Sequence, residues 1–232
     1  QSSAASDVYK RQDHTACRPG NRQCSTLKAS VKYSGNNGKG LFVIRSPHVT
    51  ISHIIFDGNG DRRRRHRNRL CGNPSTGKGS PKNGALLIVD SHDAQVRKSS
   101  FINSPCGTAM LVQGRKDRLL IERNLFQNNG IHKNEEWADG LTIHGSSGSY
   151  IAHNTFIDNT DVHLILGSCA NCSIFGNRII HTPGDRIRSS YAALHLYTFG
   201  RGNFEGANVH GNRIDCGAGF HNCGFGLLVG AN

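Results

Sequence analysis

His144, His163, His195 and Tyr197, with Asp139 and Asp161 a few residues ahead of the first two, carry side chains from which acid–base chemistry is built. Proton abstraction beside a substrate carboxylate needs a cation on that carboxylate, a base near the carbon and an acid for the leaving oxygen. Arg186 or Arg188 would supply the first, His163 or His195 the second, and Tyr197 the third. Hydrolysis of a glycosidic bond needs two carboxyl groups instead, and Asp139 with Asp161 form the obvious pair. Trp137 and His144 would complete the wall against which a substrate lies. Each residue also has a structural reading. An outward histidine can make a local hydrogen bond, Tyr197 can cover an apolar strand, and Asp139 and Asp161 stand where turn formers stand.

These residues are brought together by a repeat. The apolar pairs Leu86/Ile88, Met110/Val112, Leu141/Ile143, Leu164/Leu166, Leu194/Leu196 and Leu227/Val229 alternate with period two, as half-buried strands require. Their neighbours should face outward. These are Ala85, Leu87 and Val89, then Ala109, Leu111 and Gln113, in the early copies. They become Gly140, Thr142 and His144, then His163, Ile165 and Gly167, then Ala193, His195 and Tyr197, before reverting to Gly226, Leu228 and Gly230. Titratable groups are thus confined to three successive copies.

A second element follows each pair. An apolar residue, four spacers and Phe or Ile recur as Ile51…Phe56, Val96…Phe101, Ile121…Phe126, Ile151…Phe156, Ile174…Ile179 and Val209…Ile214. Asn124, Asn154, Asn177 and Asn212 sit two residues before the aromatic or Ile position in the last four copies. A unit of about 23 residues holding two or three short strands cannot bury its own apolar face, so units must stack. Stacked asparagines would hydrogen-bond along the stack. The expectation is an all-β chain, a right-handed parallel β-helix of about six to seven coils.

The repeat is interrupted at one corner. Long excursions run from Phe56 to Leu86, from Phe126 to Leu141 and from Ile179 to Leu194. They would wall the outward face of the Leu strands, with a fourth insertion, Gly200 to Gly206, on the other side. The first excursion holds six arginines between Asp61 and Arg69. The second holds His132, Lys133, Glu135, Glu136 and Trp137, and the third Asp185, Arg186, Arg188 and Tyr191. Arginine forks grip carboxylates and phosphates, so an anionic polymer is one natural partner. The arginine run also reads as a solvated loop or a nucleic-acid patch, although no nucleic-acid-binding motif accompanies it.

Composition bounds the class. The 232 residues carry a formal net charge of +12, and no apolar run approaches the length of a membrane-spanning helix. Eight cysteines fall largely into close pairs, 17/24, 169/172 and 216/223, which suit short disulfide loops and a secreted, oxidising setting. A zinc knuckle would need a second CxxC beside Cys169–Cys172, and there is none. Residues 1–12 match nothing later and read as a non-native or disordered leader, 13–40 as an N-terminal cap, and 41–232 as the β-helix, which stops within its pattern and so reads as a fragment.

The phrases Val49-Thr-Ile-Ser-His-Ile-Ile-Phe-Asp-Gly58 and His153-Asn-Thr-Phe-Ile-Asp-Asn159 resemble the pectate-lyase-like superfamily of right-handed β-helices, over about Leu41 to Asn232. That resemblance implies an acidic polysaccharide as partner and a lyase, epimerase or hydrolase acting on a uronic-acid polymer over coils four to six. Polygalacturonases are similar in Asn159-Thr160-Asp161 and in Arg186-Ile187-Arg188, but their paired Asp-Asp and Gly-His-Gly are missing here. Acidic residues are too sparse for a converging calcium site, so no metal or other cofactor is expected, with calcium left open. Two further readings stand beside the enzyme: a non-catalytic glycan-binding or adhesive solenoid, and a structural β-helix. A monomer is expected, or a trimer if the chain forms a fibre.

Overall fold

The computed structural model describes residues 16–30, 41–60, 86–105, 107–114, 116–130, 138–182, 190–199, 202–217 and 223–231. Trp137, Arg186, Arg188, Cys71, Cys106 and the arginine run lie outside them. Every strand pairing among the described residues is parallel and joins one repeat to the next. Three sheets result. The Leu sheet has seven strands, from Phe42–Ile44 through Leu141–Ile143, Val162–Leu166 and Ser190–Thr198 to Cys223–Ala231. The Ile sheet has six, from Thr50–Ser52 to Asn208–His210, and the Phe sheet seven, from Ser25–Lys28 to Arg213–Asp215. Each coil visits the Leu, Ile and Phe sheets in that order, and a short two-stranded sheet, Ser146–Ser147 with Cys169–Ala170, lies between the first two.

Register places like residues above like. Phe56, Phe101, Phe126 and Phe156 are fully buried, and successive rings stack with centroids 4.8, 4.9 and 4.7 Å apart and planes within 11° of parallel. Burying each ring contributes about 1.5–3 kcal/mol, before the offset of ordering it.

The Ile–Phe corner turns through one residue with left-handed φ, seen at Lys98, Arg123, His153, Gly176 and Gly211, and the next position carries a polar residue, buried at Ser99, Asn124, Asn154 and Asn177 and partly buried at Asn212. There the expected ladder forms. Nδ2 of Asn124 donates to Oδ1 of Asn154 at 3.0 Å, Asn154 to Asn177 at 3.0 Å, and Asn177 to Asn212 at 2.9 Å. Each also donates to a carbonyl one coil back, so a polar corner is satisfied within the core. A second, shorter ladder occupies the Phe–Leu corner, where Asn129 donates to Asn159 at 2.7 Å.

Disulfides join Cys17 to Cys24, Cys169 to Cys172 and Cys216 to Cys223, the close pairs expected from spacing. The first closes a loop of the cap that packs on outward Ile55 and Ile102 of the Phe sheet. No helix among the described residues is long and apolar enough to cross a membrane.

Candidate active site

The outward face of the Leu sheet carries two rows of side chains over coils four to seven. Register aligns Leu111, Thr142, Ile165, His195 and Leu228 in one row. Two residues along each strand, His144, Gly167, Tyr197 and Gly230 form the other. The rows are bridged by Phe199, whose ring lies directly over Gly167: a Cβ there would fall 1.6 Å from Phe199 Cδ2. Glycine at 167 is therefore a packing requirement.

Ring contacts run on without a break. His144 to Phe199 is 5.2 Å, Phe199 to Tyr197 5.4 Å, Tyr197 to His195 5.2 Å, His195 to Tyr191 5.8 Å and Tyr191 to Phe225 5.6 Å between centroids. Tyr191 is half exposed and Tyr197 partly so, which leaves an aromatic strip facing solvent. Aromatic faces of this kind suit the apolar faces of sugar rings.

His195 is 8% exposed under its neighbours, and its Nδ1 is enclosed with no hydrogen-bond partner. Burial lowers its pKa, so the ring is neutral near pH 7 and carries an unengaged polar atom within the aromatic strip. His144, more exposed, is also held low, by burial and then by the charge of Lys116.

At the corner leading into the same strands sit Asp139 and Asp161. Oδ2 of Asp139 accepts hydrogen bonds from Thr108 Oγ1, at 3.2 Å, and from Thr142 Oγ1, while Oδ1 accepts the backbone N–H of Val162 at 3.2 Å. Despite these donors, enclosure and the nearby Asp161 charge push Asp139 up to about 7. Burial pushes Asp161 up to about 6. Asp161 holds a left-handed backbone, φ 64°, and its carbonyl accepts the N–H groups of Tyr191 at 2.6 Å and Ala192 at 3.2 Å. The carboxyl pair is thus tied by backbone to the strand that bears the aromatic strip. Two neighbouring carboxyls raised to about 7 and about 6 favour a singly protonated pair between those pH values, the condition for one to donate while the other accepts.

His163 is not on this face. It is fully buried inside the Phe–Leu corner, with Nδ1 3.3 Å from Asn159 Nδ2 and Nε2 3.4 Å from Nδ1 of buried His181. Gly140, one coil before it in register, likewise points inward, since a Cβ there would meet the Phe156 ring at 3.1 Å. The alternation that holds from Leu164 onward does not extend back through the corner at Asp161, so His163 lies among interior groups and not on the outward face where alternation would set it. Asn159, read in the Asn-Thr-Asp resemblance, belongs to the interior ladder. Thr108 carries no periodic signal in the sequence, Thr142 stands there only as an outward neighbour of the Leu pair, and Phe199 continues the outward parity of His195 and Tyr197.

For a metal, His48, His92 and Asp93 bring three ligand atoms within 4.8 Å of one another. Arg118 already bonds both Asp93 oxygens at 2.8 and 2.7 Å, holds that carboxyl well below the usual range and reaches within 3.5 Å of His92 Nδ1. A guanidinium so placed opposes a cation.

Three parallel sheets stacked coil on coil about one apolar interior define a right-handed parallel β-helix, here with a carboxyl pair and an aromatic strip on one outer face. The chain belongs to the right-handed β-helix region family, which it matches over residues 66–231. No curated protein and no solved structure matches it.

Proposed function

We propose that the protein hydrolyses an acidic polysaccharide laid along the outward face of the Leu sheet, with Asp139 and Asp161 as the reacting carboxyl groups. The observation that carries the reading is the placement of the two carboxyls: both at the corner that feeds the Leu sheet, raised toward neutrality chiefly by burial, and beside an exposed aromatic strip that Asp161 helps to position. The protonated member donates to the glycosidic oxygen. The ionised member serves as nucleophile or activates water. Tyr191 and Tyr197 seat sugar rings, and His144 borders the strip. Arg186, Arg188 and Trp137 stay in the proposal as substrate contacts on the strength of their residue types and loop positions alone. The disulfides among the described residues support an extracellular setting for such a substrate.

A second reading rests on His195. Its neutral ring and unengaged Nδ1 suit a base for elimination, with Tyr197 as the acid. The test is mass spectrometry of products after incubation with a panel of polyuronates and sulfated glycans. Saturated oligosaccharides, reduced by about 10²–10⁴ in Asp139→Asn and Asp161→Asn, are the expected result. Unsaturated products lost in His195→Ala would replace hydrolysis by elimination. Binding without any product would leave a glycan-binding module.

A further inference from the structure

The Ile–Phe corner is the one corner of each coil that the Leu sheet does not touch, and it carries a groove of its own. Its floor is an outward row of the Phe sheet, where register sets Leu125, Thr155, Arg178 and Arg213 on four successive rungs. One wall is the column of left-handed turn residues Arg123, His153, Gly176 and Gly211. The other is Ala16 and Arg18, held beside the floor by the Cys17–Cys24 loop, whose Cys17 N–H donates to the Lys98 carbonyl at 3.2 Å. The groove is about half open to solvent, with a volume of ≈ 260 Å³.

Its chemistry is one-sided. Four arginines line the groove, with no carboxylate among its described lining residues. Arg18, Arg123 and Arg213 form no ion pair with any described residue, whereas Arg97 is bound to Glu122 at 2.9 Å and Arg118 to Asp93 at 2.7 Å. Glycine shapes the cleft as well. Gly176 has φ +63°, and a Cβ there would meet the His153 ring at 2.6 Å, so the ring lies across a surface that a side chain would block.

We propose that this groove is a second binding site, for a linear glycan bearing carboxylate or sulfate groups, distinct from the face over the Leu sheet. Arg123 and Arg213 stand three rungs apart, about 14 Å at about 4.8 Å per rung, so anionic groups spaced along one chain meet a cation at either end of the groove. Guanidinium forks bind such groups through paired hydrogen bonds, and Thr155 offers a hydroxyl for sugar oxygens. A single-stranded nucleic acid would want stacking platforms, and no Phe, Tyr or Trp is among the described lining residues. The site stands whether or not the Leu-sheet face cleaves anything. In an enzyme it would hold the polymer while the distant carboxyl pair acts.

The experiment is calorimetric titration with polygalacturonate and heparin oligosaccharides of defined length, and with a single-stranded oligonucleotide. A Tyr191→Ala/Tyr197→Ala background weakens the other face and isolates the groove. Adding Arg123→Ala and Arg213→Ala, both solvent-facing, should lower glycan affinity at least about tenfold and make it less salt-dependent. Gly176→Asn, which fills the cleft without touching charge and tolerates the left-handed backbone, should do the same, with circular dichroism confirming the fold in each variant. Unchanged glycan affinity in the Arg123→Ala/Arg213→Ala variant, or tighter binding of the oligonucleotide than of either glycan, would overturn the proposal. Cleavage assays on Asp139→Asn report on the other face alone, so the two readings fail separately.

Discussion

The carboxyl group of Asp139 lies close enough to that of Asp161, across neighbouring coils, for the charge on one to raise the pKa of the other. Both sit at the corner that feeds the Leu sheet, and both are lifted chiefly by burial. This pair sets the pH behaviour of the protein in two ways.

The first concerns stability. A carboxyl whose folded pKa exceeds its unfolded value holds its proton longer when folded. Its contribution is fully present below the unfolded value of about 4 and is lost as pH rises through the folded value. Thermal unfolding should therefore show stability falling between about pH 4 and about pH 7 from this pair. Asp139→Asn should flatten that slope, leaving the variant gaining on the parent toward pH 8. A slope that is unchanged in the variant contradicts the coupling.

The second concerns rate. Hydrolysis needs one proton on the pair, so release of saturated product should fall on the alkaline side of about pH 7, as Asp139 ionises, and on the acid side as Asp161 is protonated. Initial rates from pH 4 to pH 9 read this directly. A rate still rising at pH 9 rules out a carboxylic acid as donor.

The aromatic strip depends on a glycine. Gly167→Ala would force the Phe199 ring from its place, because the new Cβ would overlap it. The ring is a movable side chain, so the fold should persist while glycan affinity drops to the level of Phe199→Ala. Equal affinity in Gly167→Ala and the parent would remove Phe199 from the site.

The stacks hold the coils together. Phe126→Ala, between Phe101 and Phe156, should cost about 3–5 kcal/mol in urea unfolding. Asn154→Ala leaves the Asn124 backbone N–H and one of its two side-chain N–H groups without the acceptor they share, and takes a donor from the Ile121 carbonyl, at about 1–3 kcal/mol for each group stranded. A loss below 1 kcal/mol in Phe126→Ala would mean that the coils do not depend on the stack.

The repeat was legible in the sequence because stacking demands it. Phe56, Phe101, Phe126 and Phe156 recur since each must lie over the last, and Asn124, Asn154, Asn177 and Asn212 recur since each must bond the next. The outward positions of His144, His195 and Tyr197 followed from period two within a strand. What alternation does not reach is the corner, where a left-handed residue such as Asp161 breaks the parity. Only the tertiary structure turned His163 inward to Asn159 and His181, set Asp139 against Thr108 and Thr142, and swung Phe199 over Gly167. Likewise Arg18, far from Arg123 and Arg213 in the chain, joins them because the disulfide loop folds back along the Phe sheet. Periodicity along a chain reports which residues share a face, while the meeting of faces at a corner depends on backbone turns and on neighbours from other coils.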